Sequence, residues 1–428
     1  MDREPVKYVV YGVLLLGLTT VVIAQTSRPT PPATPTEAYL RLKSSYRDFL
    51  NRSARASDGI SDEVLRQAEV EQRLAAKHYI STLARTKWNS KDTLALARLY
   101  VIATDYVSAT TLIQQQLGDY RGDDYLEACS ILLAASIEQR QWEQARLLAA
   151  RLMENAKLSS EADLQIGNLI KKLKDKDIQQ TVILAQKRFS ILSQTPIKTI
   201  QQRITIAERA EELGNLYSEA GQPAAAKQLF SEQLDSLRAA AHELPPSTIE
   251  YAELPEQINF VDRLLRAGLR RTELAGAAAP KLVGEDFLDM SASDLAKQKG
   301  MIVLLDFFAH SCAPCVAELN DIDRLREKYK GKLGAVIVTS YRGYFGLKEK
   351  ISRSEEKAAL KQLKTEKRAK TGLLIGPVSN FDQYGIVTLP AFALIDAAGR
   401  VRTILMSPSP EKLRVTIEQL LKESAQGH

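Results

Sequence analysis

The feature that most constrains the fold is a pair of cysteines at the start of a helical pattern. The largely apolar run Leu304–Ala309 predicts a buried strand, and a short turn leads from it to Cys312 and Cys315. Apolar residues then recur at helical spacing, which places both thiols at a helix N-terminus. Free backbone N–H groups and the helix dipole stabilise a thiolate there. A second thiol one turn away can close a disulfide and resolve a mixed disulfide.

The numbers of cysteines and histidines argue against a zinc site. The chain has three cysteines, and Cys129 lies in an apolar helical run, which predicts a buried core thiol. Zinc needs four ligands, but there is no second cysteine pair and there are only four histidines. The sequence therefore predicts no metal site and leaves Cys312 and Cys315 as the functional pair.

Further motifs follow the dithiol in a recognisable order. Ala279-Pro280 opens the segment, Tyr384-Gly385-Ile386 precedes Thr388-Leu389-Pro390, and Pro390 begins a Pro-x-x-x-x-Ile-Asp-x-x-Gly element. With the strand that leads into Cys-x-x-Cys, this combination resembles a thioredoxin-fold domain of the TlpA/ResA-like branch. The resemblance covers about a third of the chain.

The resemblance implies a role for each site residue. Cys312 is expected to be the exposed nucleophile and Cys315 the resolving thiol. Asp306 is expected to be the buried acid that assists proton transfer at the second cysteine. Pro390 is expected to follow a cis peptide bond, and Leu389 to present its backbone to a bound substrate chain. No cofactor is expected besides the redox-active disulfide Cys312–Cys315.

The two residues that precede Cys312 are Ser311, which departs from the family pattern, and His310, which has two possible roles. Ser311 stands where most such proteins carry Trp, so apolar surface beside the dithiol is missing. A protonated His310 would favour the Cys312 thiolate. The simpler interpretation, which we favour from the sequence, is that His310 is an exposed turn side chain.

The N-terminus predicts export. Tyr8–Ala24 carries no charge, and a Pro-rich stretch follows it. We interpret residues 1–25 as a membrane anchor, spanning residues 6–25, or as a cleaved signal, and residues 26–36 as a Pro/Thr-rich linker. Either alternative places the rest of the chain in the bacterial cell envelope or periplasm.

The middle of the chain, residues 37–274, predicts an all-α domain. Prolines are rare up to about residue 240, and Leu213-Gly214, Tyr217, Gly221, Ala226 and Phe230 fall at the offsets of a tetratricopeptide (TPR) repeat. Small residues at Gly214 and Ala226 would let two helices approach closely. Earlier copies are weaker, so we predict a TPR-like array, with a non-repetitive helical bundle as the alternative.

Residues 275–428 form the predicted α/β domain, which starts with a short linker at Ala275–Pro280. Within it, residues 341–370 are a basic insertion with ten Lys and Arg against four Glu. We interpret this insertion as a solvated helix face whose role stays open. Because no aromatic interleaving or nucleic-acid motif accompanies the basic residues, no nucleic-acid partner is expected.

The fold class is thus an N-terminal TPR-like helical array followed by an α/β thioredoxin-fold domain. We expect an exported thiol–disulfide oxidoreductase, working more as a reductase than as an oxidase. Its expected partners are exported protein thiols or disulfides, a membrane redox partner, and a peptide or protein bound by the helical domain. The alternative is an interaction scaffold whose thioredoxin-like domain is vestigial.

Overall fold

The computed structural model describes residues 31–56, 62–155, 157–194, 199–242, 254–298, 300–346 and 348–426. The apolar run Tyr8–Ala24, and with it the predicted membrane segment, lies outside these residues. Among the helices described, none is long and apolar enough to cross a membrane. The first helix begins at Pro35, inside the predicted linker 26–36. Residues 35 and 36 therefore belong to a helix and not to the predicted linker. Pro35 can start this helix because proline is well suited to the first helical turn.

The first part of the chain is helical, as its composition predicts. Polar N-caps start several of these helices: the side chains of Asn89, Ser159 and Thr199 each accept a backbone N–H from the first turn. The helices are α1 (Pro35–Ala56), α2 (Asp62–Leu83), α3 (Ser90–Ile102), α4 (Tyr106–Gln116), α5 (Gly122–Glu138), α6 (Trp142–Leu152), α7 (Ser160–Leu173), α8 (Ile178–Gln194), α9 (Ile200–Glu219), α10 (Pro223–His242) and α11 (Leu254–Leu274).

Successive helices pack on one another through small residues and aliphatic side chains. The close approach predicted at Gly214 is present: a Cβ there would lie 2.4 Å from the Phe230 ring. The same ring fills the space above Gly268 of α11. Phe230 and Ala226 are fully buried in this seam. The α9–α10 packing therefore follows the predicted offsets, while a repeating TPR-like array stays a prediction.

The second part is built on a mixed sheet. Its strands are β1 (Asp286–Leu288), β2 (Ile302–Phe307), β3 (Leu333–Thr339), β6 (Leu373–Ile375), β7 (Ala391–Ile395) and β8 (Val401–Met406), in the order β1-β6-β3-β2-β7-β8. A separate hairpin pairs β4 (Tyr344–Phe345) with β5 (Lys348–Glu349). The helices are α12 (Ala292–Ala296), α13 (Ala313–Lys328), α14 (Arg353–Lys367), α15 (Ser379–Gln383) and α16 (Pro410–Gln426).

Strand β2 is central, pairing parallel with β3 and antiparallel with β7. Leu304 packs with side chains of α13 and α16 on one face of the sheet. Leu305 and Phe307 pack on the other face, with residues of α15 and the end of α11. Both faces are therefore covered, which is the condition under which a polar residue on β2 becomes buried.

The two parts are joined by a polar and close-packed interface. The buried Arg271 of α11 donates to the Gly385 carbonyl oxygen (2.5 Å) and to Asn215 Oδ1 (2.6 Å). Gly385 has φ +66°, and a Cβ there would lie 2.4 Å from the Ala267 carbonyl oxygen. Only glycine fits that position, because it must combine a left-handed backbone with close contact to α11.

The segment predicted as a linker at 275–280 is attached to the sheet. The Gly276 N–H donates to the Val401 carbonyl oxygen (2.8 Å), and Ala278 forms a bridge with Arg400. Helix α11 ends at Leu274, which belongs to the apolar core of the sheet domain. The chain therefore passes from helix to sheet without a free connector.

Candidate functional site

The dithiol lies where the sequence places it, between β2 and α13. Strand β2 ends at Phe307, and α13 begins at Ala313, with Cys312 as its N-cap. The Cys315 backbone N–H donates to Cys312 Sγ (3.2 Å), so this sulfur takes the capping position that an oxygen usually fills. Pro314 lies in the first turn, where no N–H is needed. The structure contains the Cys312–Cys315 disulfide.

The two sulfurs differ in access. Cys315 is buried, with 1% of its surface exposed, whereas Cys312 is half-buried. Only Cys312 can therefore be reached by a large substrate. Once reduced, its thiolate would accept the Cys315 N–H at the positive end of α13, which favours the charged form.

Asp306 is buried on the face of β2 that α13 covers, two residues before Phe308, which shares an apolar cluster with Cys315. It is 1% exposed, and within the described residues neither carboxylate oxygen has a hydrogen-bond partner. Burial, with a smaller contribution from Glu318, raises its pKa to about 8. A carboxyl group of that pKa exchanges a proton with a thiol at little cost in free energy, because free thiols have a pKa of ~8.5.

Glu318 is a site residue that the sequence reasoning missed. It lies on α13 one turn after Cys315, and burial raises its pKa. Its Oε2 atom has no partner in the part of the chain described. It also lines a cavity of about 230 Å³ with Ile322, Leu325 and Phe392. The sequence does contain an indication of this residue: Glu318 is an acidic residue on the otherwise apolar face of α13, three positions after Cys315.

The loop before β7 borders the dithiol. The Leu389–Pro390 peptide bond is cis, as the resemblance implies. Leu389 packs against the same apolar cluster as Cys312. In the described structure the backbone of Leu389 makes no hydrogen bond. Its N–H and C=O are thus free to pair with an extended chain, as at the edge of a sheet.

His310 corrects one sequence expectation. Its side chain is 3% exposed, not solvated, and its Nε2 lies 3.8 Å from Glu356 Oε1. The ring stacks on Phe345, with centroids 4.5 Å apart, and meets Tyr344 edge-on. Burial lowers the pKa of His310. The imidazole is therefore neutral at pH 7 and adds no positive charge beside Cys312.

The basic insertion accounts for the burial of His310. Its hairpin β4–β5 folds over the turn before the dithiol, and the Tyr344 hydroxyl donates to Ser311 Oγ (3.1 Å). The buried Glu356 carboxylate accepts backbone N–H groups from Arg342 (2.8 Å) and Gly343 (2.9 Å). The hairpin thus brings aromatic surface to the place where Ser311 replaces the expected tryptophan.

The basic side of α14 is partly docked rather than fully solvated. Arg353 pairs with Glu285, Lys357 with Asp286, and Lys364 with Asp289. Lys364 is buried and also donates to the Thr371 carbonyl oxygen (2.6 Å). The expectation of a solvated face is therefore wrong for Lys364, which is buried, whereas Arg353 stays largely exposed in its ion pair with Glu285.

Two other expectations concern groups away from the dithiol. Cys129 is a free, buried thiol on α5, as predicted. In the described ranges no three His, Cys, Asp or Glu side chains are grouped so that they would hold a metal ion.

Comparison with solved structures finds likeness over about a third of the chain. No protein-family model matches the chain, and no curated protein matches it. A thiol-disulfide isomerase from Corynebacterium glutamicum is 18% identical, with 33% of this chain and 94% of that chain covered and a TM-score of 0.29. The thioredoxin domain of a thiol-disulfide oxidoreductase from Bacteroides vulgatus is 20% identical (34% and 97% covered, TM-score 0.27).

A secreted disulfide oxidoreductase from Mycobacterium tuberculosis is 16% identical, with 29% of this chain and 86% of that chain covered and a TM-score of 0.24. Identity and TM-score are low in all three cases. The function proposed below is therefore drawn from the geometry of the site.

Proposed function

We propose that the protein is an exported thiol–disulfide oxidoreductase that reduces disulfides of other exported proteins. The observation that carries the proposal is the dithiol Cys312/Cys315 at the start of α13, together with a carboxyl group, Asp306, that is buried on the face of β2 covered by α13 and whose pKa is raised to about 8. An accessible sulfur that forms a thiolate and a second sulfur that resolves the mixed disulfide are what a disulfide-exchange cycle uses, and a proton acceptor of similar pKa assists the second step.

The reaction has two displacements. The Cys312 thiolate attacks one sulfur of a substrate disulfide; that S–S bond breaks, and the other substrate sulfur leaves as a thiolate. Cys315 then gives its proton to the Asp306 carboxylate and attacks Cys312 Sγ, which releases the second substrate sulfur. Two electrons pass from the dithiol to the substrate, whose two sulfurs leave as thiolates and take their protons from solvent. The proton of Cys315 stays on Asp306, and the Cys312–Cys315 disulfide remains. An external dithiol must reduce this disulfide before the next cycle.

Glu318 fits this scheme as the link between Asp306 and solvent. It contributes to the raised pKa of Asp306 and borders a cavity on the surface of α13. A proton accepted by the buried Asp306 would leave through Glu318. The helical domain then serves partner choice, because within its described part it has a single cysteine, Cys129, which is buried.

Insulin reduction with dithiothreitol as the external dithiol tests the proposal. The full chain should accelerate reduction, and Cys312→Ser should abolish the acceleration. Cys129→Ser is the matched control and should keep the activity, because that thiol is buried away from the site. Equal rates for the wild type and Cys312→Ser would refute the proposed function.

Export is proposed from the apolar run Tyr8–Ala24. A fusion of alkaline phosphatase to the C-terminus tests it in a bacterial host, since this enzyme is active only where its own disulfides form. An active fusion is expected. An inactive fusion, together with an active cytoplasmic reporter at the same position, would reverse the proposed location.

A further inference from the structure

A cavity of about 640 Å³ lies between the helical part and the loop beside the dithiol. Residues of α7 and α9 form one wall, and Thr388, Met406 and Ser407 form the other. Thr388 directly precedes Leu389, and the Ser407 N–H donates to the Pro390 carbonyl oxygen (2.9 Å). A polypeptide that pairs with the free backbone of Leu389 would therefore continue into this cavity.

Both walls of the cavity are held in place. Lys174 Nζ donates to the Met406 carbonyl oxygen (2.8 Å), and the Ser409 N–H donates to Asp175 Oδ2 (2.9 Å). Arg270 Nε donates to the Gln383 carbonyl oxygen (3.1 Å) at the end of α15. The cavity is thus a built feature of the interface between the two parts.

Most of the charged groups in the cavity already have partners. Arg188 pairs with Asp163 and Glu212, both at 2.6 Å, and Arg209 pairs with the same Asp163. Glu211 interacts with Arg271 at 3.4 Å and accepts from an asparagine amide. Arg188 and Arg209 are thus neutralised from within the helical domain. Two lysines of α7 and its C-terminal end also line the cavity: Lys174 donates to the Met406 carbonyl oxygen, and Lys171 is exposed.

Two carboxylates of α9 that line the cavity have no hydrogen-bond or ion-pair partner among the described residues. Across the described residues, Glu208 and Glu219 make no hydrogen bond or close ion pair, and burial raises the pKa of each. Lys174, Lys412 and Arg271 act on Glu219 only through their electrostatic fields. The two residues are eleven positions apart, which is close to three helical turns, so they project from one face about 16 Å apart. An extended peptide covers that distance in about five residues.

We propose that this cavity binds the segment of a substrate polypeptide that flanks its reactive cysteine, and that Glu208 and Glu219 make it select segments carrying Lys or Arg. The inference rests on the proposed function for its substrate class, a polypeptide. A cationic side chain would supply the partner that each carboxylate lacks, and the adjacency of Thr388 to Leu389 joins this site to the dithiol.

Binding of cysteine-free peptides to the full chain tests the inference without any turnover. Labelled peptides of one length, carrying either Lys or Glu at positions moved stepwise from a central Ser, are compared by fluorescence anisotropy at low salt. The best Lys peptide should bind about tenfold more tightly than its Glu counterpart, the effect of one charge-assisted hydrogen bond. The double variant Glu208→Lys/Glu219→Lys should reverse the order of affinities.

Glu143→Lys is the matched control, because Glu143 is exposed on α6 outside the cavity. It should keep the preference for Lys peptides. Equal affinities in the wild type, or an unchanged preference in the double variant, would overturn the inference. If the double variant does not fold, Glu208→Gln alone should still weaken the preference. Turnover of the matching peptide disulfides is measured separately, so that binding without turnover would refute the proposed function and leave the cavity assignment standing.

Discussion

The wild-type protein should become less stable as the pH rises, because the buried Asp306 ionises. Replacing Asp306 by asparagine should remove this pH-dependent loss of stability. In the folded protein the Asp306 pKa is about 8, against an ordinary value of 3.8. Because the folded pKa is the higher one, the folded state binds the proton more tightly than the unfolded state. Its contribution to stability is fully present below pH ~4 and is lost as the pH rises towards 8.

The size of the effect follows from the difference between the two pKa values. Each pKa unit corresponds to about 1.4 kcal/mol, so the wild type is destabilised at pH 7 by about 4 kcal/mol relative to its stability near pH ~4. The asparagine side chain of the variant cannot ionise, so this loss is absent from it. The buried amide of that side chain lacks partners, which costs about 1–3 kcal/mol, but that cost does not change with pH.

The assay must report on the sheet domain. Both tryptophans, Trp88 and Trp142, lie in the helical part, so tryptophan fluorescence does not follow the unfolding of β2. Amide hydrogen exchange of peptides from β2, corrected for intrinsic rates and measured between about pH 5 and pH 8, does follow it. The wild type should lose about 1.4 kcal/mol per pH unit relative to Asp306→Asn. Parallel curves for the two proteins would refute the assignment of a raised pKa to Asp306.

Three further predictions concern the thiol, the domain interface and the insertion. Iodoacetamide labelling of the reduced protein against pH should give Cys312 a pKa below the free value of ~8.5, and a value at or above it would contradict the helix-terminus argument. Gly385→Ala should lower stability by at least about 1 kcal/mol more than Gly399→Ala, measured by urea unfolding. Both glycines have positive φ, but only Gly385 would place its Cβ against backbone; equal costs would show that this contact is not tight. Glu356→Ala should expose the β4–β5 hairpin to limited proteolysis, because two backbone N–H groups lose their buried acceptor, whereas Glu366→Ala, an exposed position, should not.

The parts of the site that the sequence predicts are those formed by local structure. A strand, a turn and a helix start are contiguous in the chain, so Cys312, Cys315 and Asp306 are placed by pattern alone. The burial of Asp306 follows once both faces of the sheet are covered, and the alternation of β2 shows which side it faces.

The parts that the sequence does not predict depend on contacts between distant segments. His310 is buried because a hairpin more than thirty residues later folds over it, and no local pattern at His310 indicates this. Glu318 acts on the pKa of Asp306 only because α13 covers the face of β2 that carries Asp306. The cavity beside Thr388 requires the helical part to be docked on the sheet, which is an arrangement of two domains and not of one motif.

The most direct test of the central claim is to trap the mixed disulfide. With Cys315→Ser, a peptide disulfide should react to give a stable adduct, and mass spectrometry after proteolysis should locate that adduct on Cys312. We expect this adduct at Cys312 and none in the double variant Cys312→Ser/Cys315→Ser. No adduct in Cys315→Ser, or an adduct on Cys129 instead, would contradict the assignment of Cys312 as the attacking thiol.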